Sequence, residues 1–352
     1  MRRVLFIDCA PFVGGAQESF TTLVKGFPCC SVAVGDGLAS RFPDAIHIHA
    51  RHWSANISGI FQFLEDRREA TKALQKTSCD LIHANTLRSA LLLTSLPLSC
   101  PIVVHDRDIR APRLALHYIA RKLQPTIIAI SSTVARKWRG IIPDDRIHIV
   151  HNGFNLDEIR AAKPASFPWH GPTIALVADF IPWKRHRLFI EAFVLAAKRA
   201  PNLHAVIRGR ARTPEGEPYL NSIRNYASSF PNITFDISSS SALSCIAASD
   251  MLVTCSDNEP FGRIIIEGLA LSKPVVATPT AAPPELFSML APNLIMALDS
   301  PLNLANAIAD NLNKTFPPLH LDKFSAQAML AKVNAVHEQI ASSPKTTDLQ
   351  YH

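Results

Sequence analysis

The sequence predicts an α/β protein with two domains, each built on a parallel β-sheet that helices cover on both faces. Short apolar runs alternate with amphipathic stretches along the whole chain, and one proline-rich segment near the middle interrupts this alternation. The runs are continuously apolar, which is typical of strands buried on both faces. A length of 352 residues is enough for two domains of ordinary size.

The apolar runs predict strands in both halves of the chain. Those in the first half are Val4–Ile7, Ser31–Val34, Ile46–His49, Asp80–His83, Ile102–His105, Thr126–Ile130 and Ile147–Val150. Those in the second half are Thr173–Ala178, Ala205–Arg208, Ile233–Asp236, Met251–Cys255, Pro274–Thr278 and Leu294–Ala297. The clearest helical patterns in the first half are Ala16–Phe27, Ile57–Gln75 and Pro112–Leu123.

The segment Lys163–Pro172 marks the predicted boundary, because it contains three prolines and no periodicity. We therefore predict an N-terminal domain over residues 1–165 and a C-terminal domain over 166–320. A helical pattern at Asp322–Ile340 predicts a terminal helix, which we place at 321–341. The polar residues 342–352 are predicted to form a disordered tail.

Composition excludes two classes of protein. With 47% hydrophobic and 18% charged residues the chain is not disordered, and no apolar run reaches the 18 residues of a membrane span. The apolar run after Arg3 stops at Asp8, so it predicts a buried first strand rather than a signal peptide. Seven cysteines without C-x-x-C spacing predict reduced thiols, mostly in the core, in a cytoplasmic protein.

The positive charge is concentrated in one segment. The net charge of +7 favours an acidic partner, and the basic segment Arg107–Arg139 holds eight Lys or Arg residues, which only Asp108 and the adjoining Asp106 oppose. Part of it, Arg110–Leu123, predicts a basic amphipathic helix suited to an anionic membrane surface, or an ordinary solvated helix. A nucleic-acid partner is the alternative, but no interleaved aromatics or recognisable binding module support it, so we expect none.

The most informative motif is the pair Glu259 and Glu267, within Ser256–Glu267. An apolar strand ends before this stretch, and the turn Pro260-Phe261-Gly262 opens a helix that carries Glu267. The two glutamates are eight positions apart, and eight residues of helix would rise about 12 Å, roughly the length of a nucleotide-sugar. One carboxylate would then reach the sugar and the other the ribose.

Two further positions predict ligand contacts. Gly14-Gly15 lies between the first strand and a helix, where backbone N–H groups approach a phosphate, although a simple tight turn has the same sequence. His105, followed by Asp106, ends a buried strand at the sheet edge where open α/β sheets bind ligands, although a structural histidine would fit there too. The fourteen histidines form no H-E-x-x-H or Cys/His ligand spacing, so we expect no metal and no cofactor.

Over residues 1–340 the chain resembles the retaining GT-B glycosyltransferases of family 4. The resemblance implies two Rossmann-like domains facing a cleft, with a C-terminal helix that crosses back to the N-domain. It also implies that Glu259 lies beside the donor sugar, that Glu267 binds the ribose, and that His105 contacts the sugar. Gly14 and Gly15 would lie against the diphosphate or the acceptor.

The loop Asp179–His186 carries a second part of this resemblance. In the family it begins with Gly-Arg and ends with Lys-Gly, and its two cations neutralise the diphosphate. Here Lys184 stands at the lysine position, but Asp179 replaces the arginine and Arg185 replaces the glycine. Because an aspartate repels phosphate, we expect Arg185 and Arg263 to compensate.

Two glycine-rich turns of the family are altered in this chain. Gly209 stands in Arg208-Gly209-Arg210, where the family has Gly-Asp-Gly, and is expected to shape the nucleotide pocket. The family's Gly-Gly pair after the next strand is replaced by Thr280-Ala281-Ala282.

The resemblance implies transfer of a hexosyl group from a nucleoside-diphosphate sugar to a hydroxyl, without a metal. The acceptor would be a glycan or a lipid-linked sugar in cell-surface polysaccharide or glycolipid synthesis, and the enzyme would work in the cytoplasm, on the inner face of the membrane. Glu259, His105 and Lys184 would be catalytic. The substrate-binding residues would be Gly14, Gly15, Asp106, Arg185, Gly209, Phe261, Gly262, Arg263 and Glu267. An inactive GT-B relative that binds nucleotide or glycan, and a sugar-nucleotide epimerase, are the alternatives.

Overall fold

The computed structural model describes residues 3–342 except 28, 29, 52, 54–56, 76, 99, 239, 240 and 318. The predicted tail lies outside the described residues apart from Ser342. The chain forms two compact units. The first comprises the chain up to Phe154 together with the C-terminal segment from Phe324, and the second is Asn155–Lys323.

The first unit contains a parallel sheet of seven strands with the order β3-β2-β1-β4-β5-β6-β7. Its strands are β1 Val4–Asp8, β2 Ser31–Val34, β3 Ile46–His47, β4 Leu81–Asn85, β5 Ile102–Asp106, β6 Thr126–Ala129 and β7 Ile147–Ile149. Most strand residues are buried, as expected for a sheet covered on both faces.

The second unit contains a parallel sheet of six strands with the order β10-β9-β8-β11-β12-β13. Its strands are β8 Thr173–Val177, β9 His204–Arg208, β10 Ile233–Asp236, β11 Met251–Thr254, β12 Val275–Ala277 and β13 Leu294–Met296. Every predicted strand is confirmed, with ends that differ by at most a few residues.

Helices connect successive strands in both sheets. They are α1 Gly15–Lys25, α2 Ile57–Leu74, α3 Thr86–Leu93, α4 Arg113–Leu123, α5 Ser132–Arg136, α6 Leu156–Arg160, α7 His186–Ala197, α8 Gly216–Ala227, α9 Ala242–Ala248, α10 Arg263–Ala270, α11 Pro283–Leu290, α12 Pro301–Asn311 and α13 Ala326–Ser342. This alternation of parallel strands and helices confirms the predicted fold class.

The terminal helix α13 packs into the first unit. Its Met329, Val333 and Val336 belong to the same buried core as Phe6 and Val103. The helix begins later than the sequence pattern suggests because residues 322–324 form a short 3₁₀ turn and the Ser325 hydroxyl accepts the N–H of Ala328.

The segment that the sequence marks as a linker belongs to the second unit. The chain changes unit at Asn155, before the proline-rich stretch, and that stretch is packed in place. Phe167 stacks on Trp169 with ring centroids 4.9 Å apart, and Trp169 stacks on His204 of β9 at the same separation.

Each sheet reverses its strand order once, between β1 and β4 in the first and between β8 and β11 in the second. Ligands of open α/β sheets bind beyond the carboxyl ends of the strands that flank such a reversal. The loops after β1, β4, β8 and β11 are therefore the places where the fold positions a site.

Candidate functional site

The centre of the candidate site in the second unit is an ion pair between Lys184 and Glu259. Lys184 Nζ lies 2.7 Å from Glu259 Oε2, and both side chains are largely buried, at 18% and 10% exposed. Lys184 follows β8 and Glu259 follows β11, so the pair spans the reversal of strand order. The structure thus brings together two of the three residues that are predicted to be catalytic.

Neighbouring groups fix the Glu259 carboxylate. Its Oε2 also accepts a hydrogen bond from the Ser256 hydroxyl at 2.9 Å, and its Oε1 accepts from the Gly262 N–H at 3.1 Å. Gly262 has φ +91°, and a Cβ there would lie 2.7 Å from Ile265 Cδ1. Only glycine fits this turn without strain, so the Pro-Phe-Gly sequence sets where the carboxylate is held.

The helix α10 begins directly after this turn and carries Glu267. Arg263 Nη2 donates to Glu267 Oε1 at 3.0 Å, an i,i+4 pair whose side chains are 22% and 16% exposed. Phe261 is 2% exposed and acts as an apolar anchor for the turn. The structure confirms that a turn opens a helix bearing the second glutamate, but Arg263 neutralises that glutamate internally.

Arg185 ties together several loops at the carboxyl edge of the second sheet. Its guanidinium donates to the Cys255 carbonyl at 2.6 Å and to Asp299 at 2.7 Å, and it lies 3.4 Å from the Thr278 hydroxyl. These contacts come from the segments after β11, β12 and β13. Arg185 is expected to replace the missing phosphate-binding arginine, but its guanidinium is already used to connect these loops.

Asp179 lies among cations instead of standing alone. Its Oδ1 is 3.4 Å from Arg212 Nε. Burial raises the pKa of the Asp179 carboxyl, while Arg212, Lys184 and Arg210 act in the opposite direction. The predicted repulsion of phosphate is thus weakened by neighbouring positive charge that the loop sequence alone does not reveal.

Gly209 is required by a close backbone approach. A Cβ at this position would lie 2.0 Å from the Ala178 carbonyl oxygen. The chain leaving β9 therefore passes directly against the chain leaving β8. This places Gly209 beside the Asp179 loop, where the sequence predicts a nucleotide pocket.

Two residues in the loops where family glycines are replaced have a glycine-like backbone. Arg185 has φ +52° and Ala281 has φ +65°, both in the left-handed region that non-glycine residues adopt at a cost of about 1–2 kcal/mol. Ala281 pairs with Glu259 in an isolated bridge, and Ala282 N–H donates to the Glu259 carbonyl. The loop beside Glu259 thus contains a left-handed residue that is not glycine and pairs with the Glu259 backbone.

In the first unit, Gly14 and His105 are joined through a buried polar network. Gly14 N–H donates to Gln17 Oε1 at 3.0 Å, and Gln17 Nε2 donates to Asp8 at 3.1 Å. Asn85 also donates to Asp8. Because Gly14 N–H is used inside the protein, we expect a phosphate contact in this loop to fall to the N–H of Gly15.

Arg107 completes the network at its other end. Its Nε donates to Asn85 Oδ1 at 2.6 Å, its Nη1 donates to Asn152, and its Nη2 lies 3.5 Å from His105 Nδ1. His105 is fully buried, and its pKa lies well below the usual value because of burial and the charge of Arg107. The imidazole is therefore neutral near pH 7.

Asp106 has a structural position. Its carboxylate is fully buried and accepts from Trp138 Nε1 at 2.6 Å and from Lys137 Nζ at 2.8 Å. It also accepts the Asp108 N–H at 3.1 Å. These contacts tie β5 to the segment after α5, and they use the oxygens that a substrate hydroxyl would need.

The basic segment is less exposed than its sequence suggests. Arg107 and Lys137 contact buried partners, and the apolar side chain of Ile119 in α4 is buried in the protein. Leu114, at 85% exposed, remains on the surface with Tyr118 and the basic side chains of α4. No helix in the described part of the chain could cross a membrane.

Several residues that complete these sites were missed by the sequence interpretation. Ser256 stands inside the quoted motif, so its hydroxyl beside Glu259 was a detectable signal. Trp183 was also detectable, because it stands in the quoted loop Asp179–His186 next to Lys184. Its ring lies 4.0 Å from Lys184 Nζ, and its carbonyl accepts the N–H of Asp257. Arg107, Asn85 and Arg212 carry no local signal, because their partners are distant in sequence.

Comparison with known proteins identifies both units. The model of the family "Glycosyl transferases group 1" matches residues 160–328, and the model of "Glycosyltransferase Family 4" matches residues 19–158. The two matches adjoin and together span most of the chain. No curated protein matches the chain.

Solved structures share the fold at low sequence identity. The structure of Alr3699/HepE from Anabaena in complex with UDP and glucose has a TM-score of 0.77 and 19% identity, over 96% of this chain and 100% of that one. A glycosyltransferase from Rickettsia africae has a TM-score of 0.75 and 18% identity, over 97% and 99%. Sucrose-phosphate synthase from Thermosynechococcus elongatus has a TM-score of 0.74 and 15% identity, over 98% and 100%.

These structures show the GT-B fold, and the two family models show the kinship. Both agree with the architecture of the two sheets. The chain belongs to the group 1 glycosyltransferases of the GT-B fold.

Proposed function

We propose that the protein transfers a hexosyl group from a nucleoside-diphosphate hexose to a hydroxyl of a glycan or lipid-linked acceptor, with retention of configuration and without a metal. The observation that carries this proposal is the Lys184–Glu259 pair, which stands at the reversal of strand order in the second sheet. UDP-glucose is the first donor to test, because Alr3699/HepE has been crystallised with it. The setting would be polysaccharide or glycolipid synthesis in the cytoplasm.

The residues supply the charges that such a reaction needs. A departing diphosphate gains negative charge, which Lys184 would stabilise, and the sugar gains positive charge, which Glu259 would stabilise. Cationic side chains would neutralise the diphosphate in place of a metal ion. Glu267 would exchange its Arg263 partner for the ribose hydroxyls, and Arg263 would approach the phosphates.

A screen of UDP-, GDP- and ADP-hexoses tests this proposal. The correct donor is expected to raise the melting temperature progressively with its concentration, because binding to the folded state stabilises it. With that donor and an acceptor glycan, NMR of the product should show the donor's anomeric configuration, and EDTA should leave the rate unchanged. Binding without hydrolysis or transfer would instead indicate an inactive relative.

We further propose that the first unit docks on an anionic membrane through α4. Support comes from the exposed Leu114 and Tyr118, which share the solvent-facing side of the helix with Arg113, Arg121 and Lys122. Sedimentation with vesicles rich in anionic lipid is expected at low salt and should weaken as salt is added. The double variant Arg121→Glu/Lys122→Glu should stay in the supernatant, whereas Leu302→Glu, at an exposed position of α12, should sediment like the wild type. Absence of wild-type binding at low salt would refute this surface.

A further inference from the structure

Three histidines form a continuous buried row in the first unit. His83 Nε2 lies 3.1 Å from His105 Nδ1, and His83 Nδ1 lies 2.9 Å from His337 Nε2. The three residues come from β4, β5 and α13 and are fully or almost fully buried. The Phe6 ring covers the row, with its centroid 5.0 Å from that of His83.

The hydrogen-bond partners fix the direction of this row. Arg107 can only donate, so its Nη2 requires a lone pair on His105 Nδ1, and the neutral ring then carries its proton on Nε2. His83 Nε2 must therefore donate to His105 Nδ1. That leaves His83 Nδ1 as an acceptor for the N–H of His337 Nε2.

The row ends in a donor that has no acceptor. His105 Nε2 is buried and has no hydrogen-bond partner among the described residues. A buried N–H without a partner is unfavourable, and such a group in a native protein is commonly completed by a ligand or an ordered water. Burial lowers the pKa of His83 and of His105 and keeps both rings neutral. The hydrogen bonds along the row therefore keep the same donors and acceptors at pH 7.

We propose that Arg107, His83 and His337 hold His105 in its Nε2-protonated tautomer, so that His105 donates a hydrogen bond to an oxygen of the donor sugar. His83 and His337 are then positioning residues that act through His105. The inference rests on the proposed function, because the acceptor oxygen belongs to the sugar. It assigns His105 the role of a neutral donor and excludes that of a proton-accepting base.

The first test is spectroscopic and does not depend on turnover. In ¹⁵N-histidine-labelled wild-type protein, with the signals assigned by His105→Phe, His105 is expected to show the pattern of a neutral ring protonated on Nε2. His83→Phe should weaken this preference. His83→Gln should keep it, because its amide can replace the donor to Nδ1. A ring protonated on Nδ1, or a charged ring, at pH 7 would overturn the proposal.

The second test is kinetic. We expect His83→Phe to lower kcat/KM for the donor by about tenfold, and His83→Gln to stay within about threefold of the wild type. His105→Gln keeps an N–H donor but cannot act as a base, so it should exceed His105→Phe by about tenfold. Equal loss in the two His105 variants would indicate a base and contradict the inference.

The outcomes separate the two proposals. If no nucleotide-sugar supports turnover, the proposed function fails, while the tautomer of His105 still decides whether the row works as described. If turnover is normal but both His83 variants match the wild type in rate and spectrum, the proposed positioning of His105 by the histidine row is refuted and the proposed function is unaffected. Should His83→Phe fail to fold, His337→Phe tests the same row from α13, with a smaller expected loss of about threefold.

Discussion

Lys184→Ala is expected to lower turnover at saturating donor by at least about tenfold. Loss of one charged group aimed at a developing negative charge commonly costs a factor of about 10²–10³ in kcat. Lys184 is positioned by the short 3₁₀ turn at residues 182–184 and by the Trp183 ring beside its ammonium. The measurement is the rate of product formation with the donor that the thermal screen identifies.

A structural explanation of that loss can be separated from a chemical one. Removing Lys184 leaves the largely buried Glu259 carboxylate without its cation, which we expect to destabilise the second unit by about 1.5–3 kcal/mol. In Lys184→Ala/Glu259→Gln the unpaired charge is gone, so most of the lost stability should return while turnover stays low. Turnover equal to that of Glu259→Gln alone would show that Lys184 serves only to pair with Glu259, whereas turnover below it would assign Lys184 its own part in the reaction.

The fold could be predicted well because its signal is local. Runs such as Val4–Ile7 and Met251–Cys255 are short and continuously apolar, which is typical of strands covered on both faces. No single apolar run predicts the order of the strands in the sheet, because the pairing of β1 with β4 joins residues far apart in sequence. The sequence also does not predict that the second unit begins at Asn155, because the proline-rich stretch after it resembles a linker although its Trp169 stacks on His204 of β9.

The site could be predicted only where its residues share one segment. Glu259, Gly262 and Glu267 stand in a single motif, and Lys184 was found through the resemblance. Their internal partners were not predicted: Arg263 pairs with Glu267, and Arg212 compensates Asp179. Charge counted along a sequence ignores such pairing, which is why Asp179 suggested stronger repulsion than the structure supports.

His105 shows the same limit more sharply. The position at the end of a buried strand correctly predicted a residue at the carboxyl edge of β5. Its state depends on Arg107 through a hydrogen bond, on His83 across the sheet, and on His337 more than two hundred residues away. No local pattern contains that information, because the histidine row exists only once α13 has packed on the first sheet.

The second large effect is expected at Glu259, and its charge is the property to test. Glu259→Gln keeps the size of the side chain and an oxygen that can accept from Ser256 or Gly262, but it removes the negative charge. If the carboxylate stabilises positive charge that develops on the sugar, turnover at saturating donor should fall by about tenfold or more in Glu259→Gln. In Glu259→Ala the fall should be at least as large, with an additional loss of stability.

Glu267→Gln provides the matched comparison, because Glu267 belongs to the same motif and is also paired with a cation. A contact with the ribose is made equally in the ground state and the transition state, so its loss should raise KM for the donor and leave kcat nearly unchanged. Steady-state kinetics of the two variants should therefore differ in kind: kcat falls in Glu259→Gln, and KM rises in Glu267→Gln. If Glu259→Gln retains the wild-type kcat, the carboxylate is a cap for the Gly262 turn, and the positive charge on the sugar must be stabilised elsewhere.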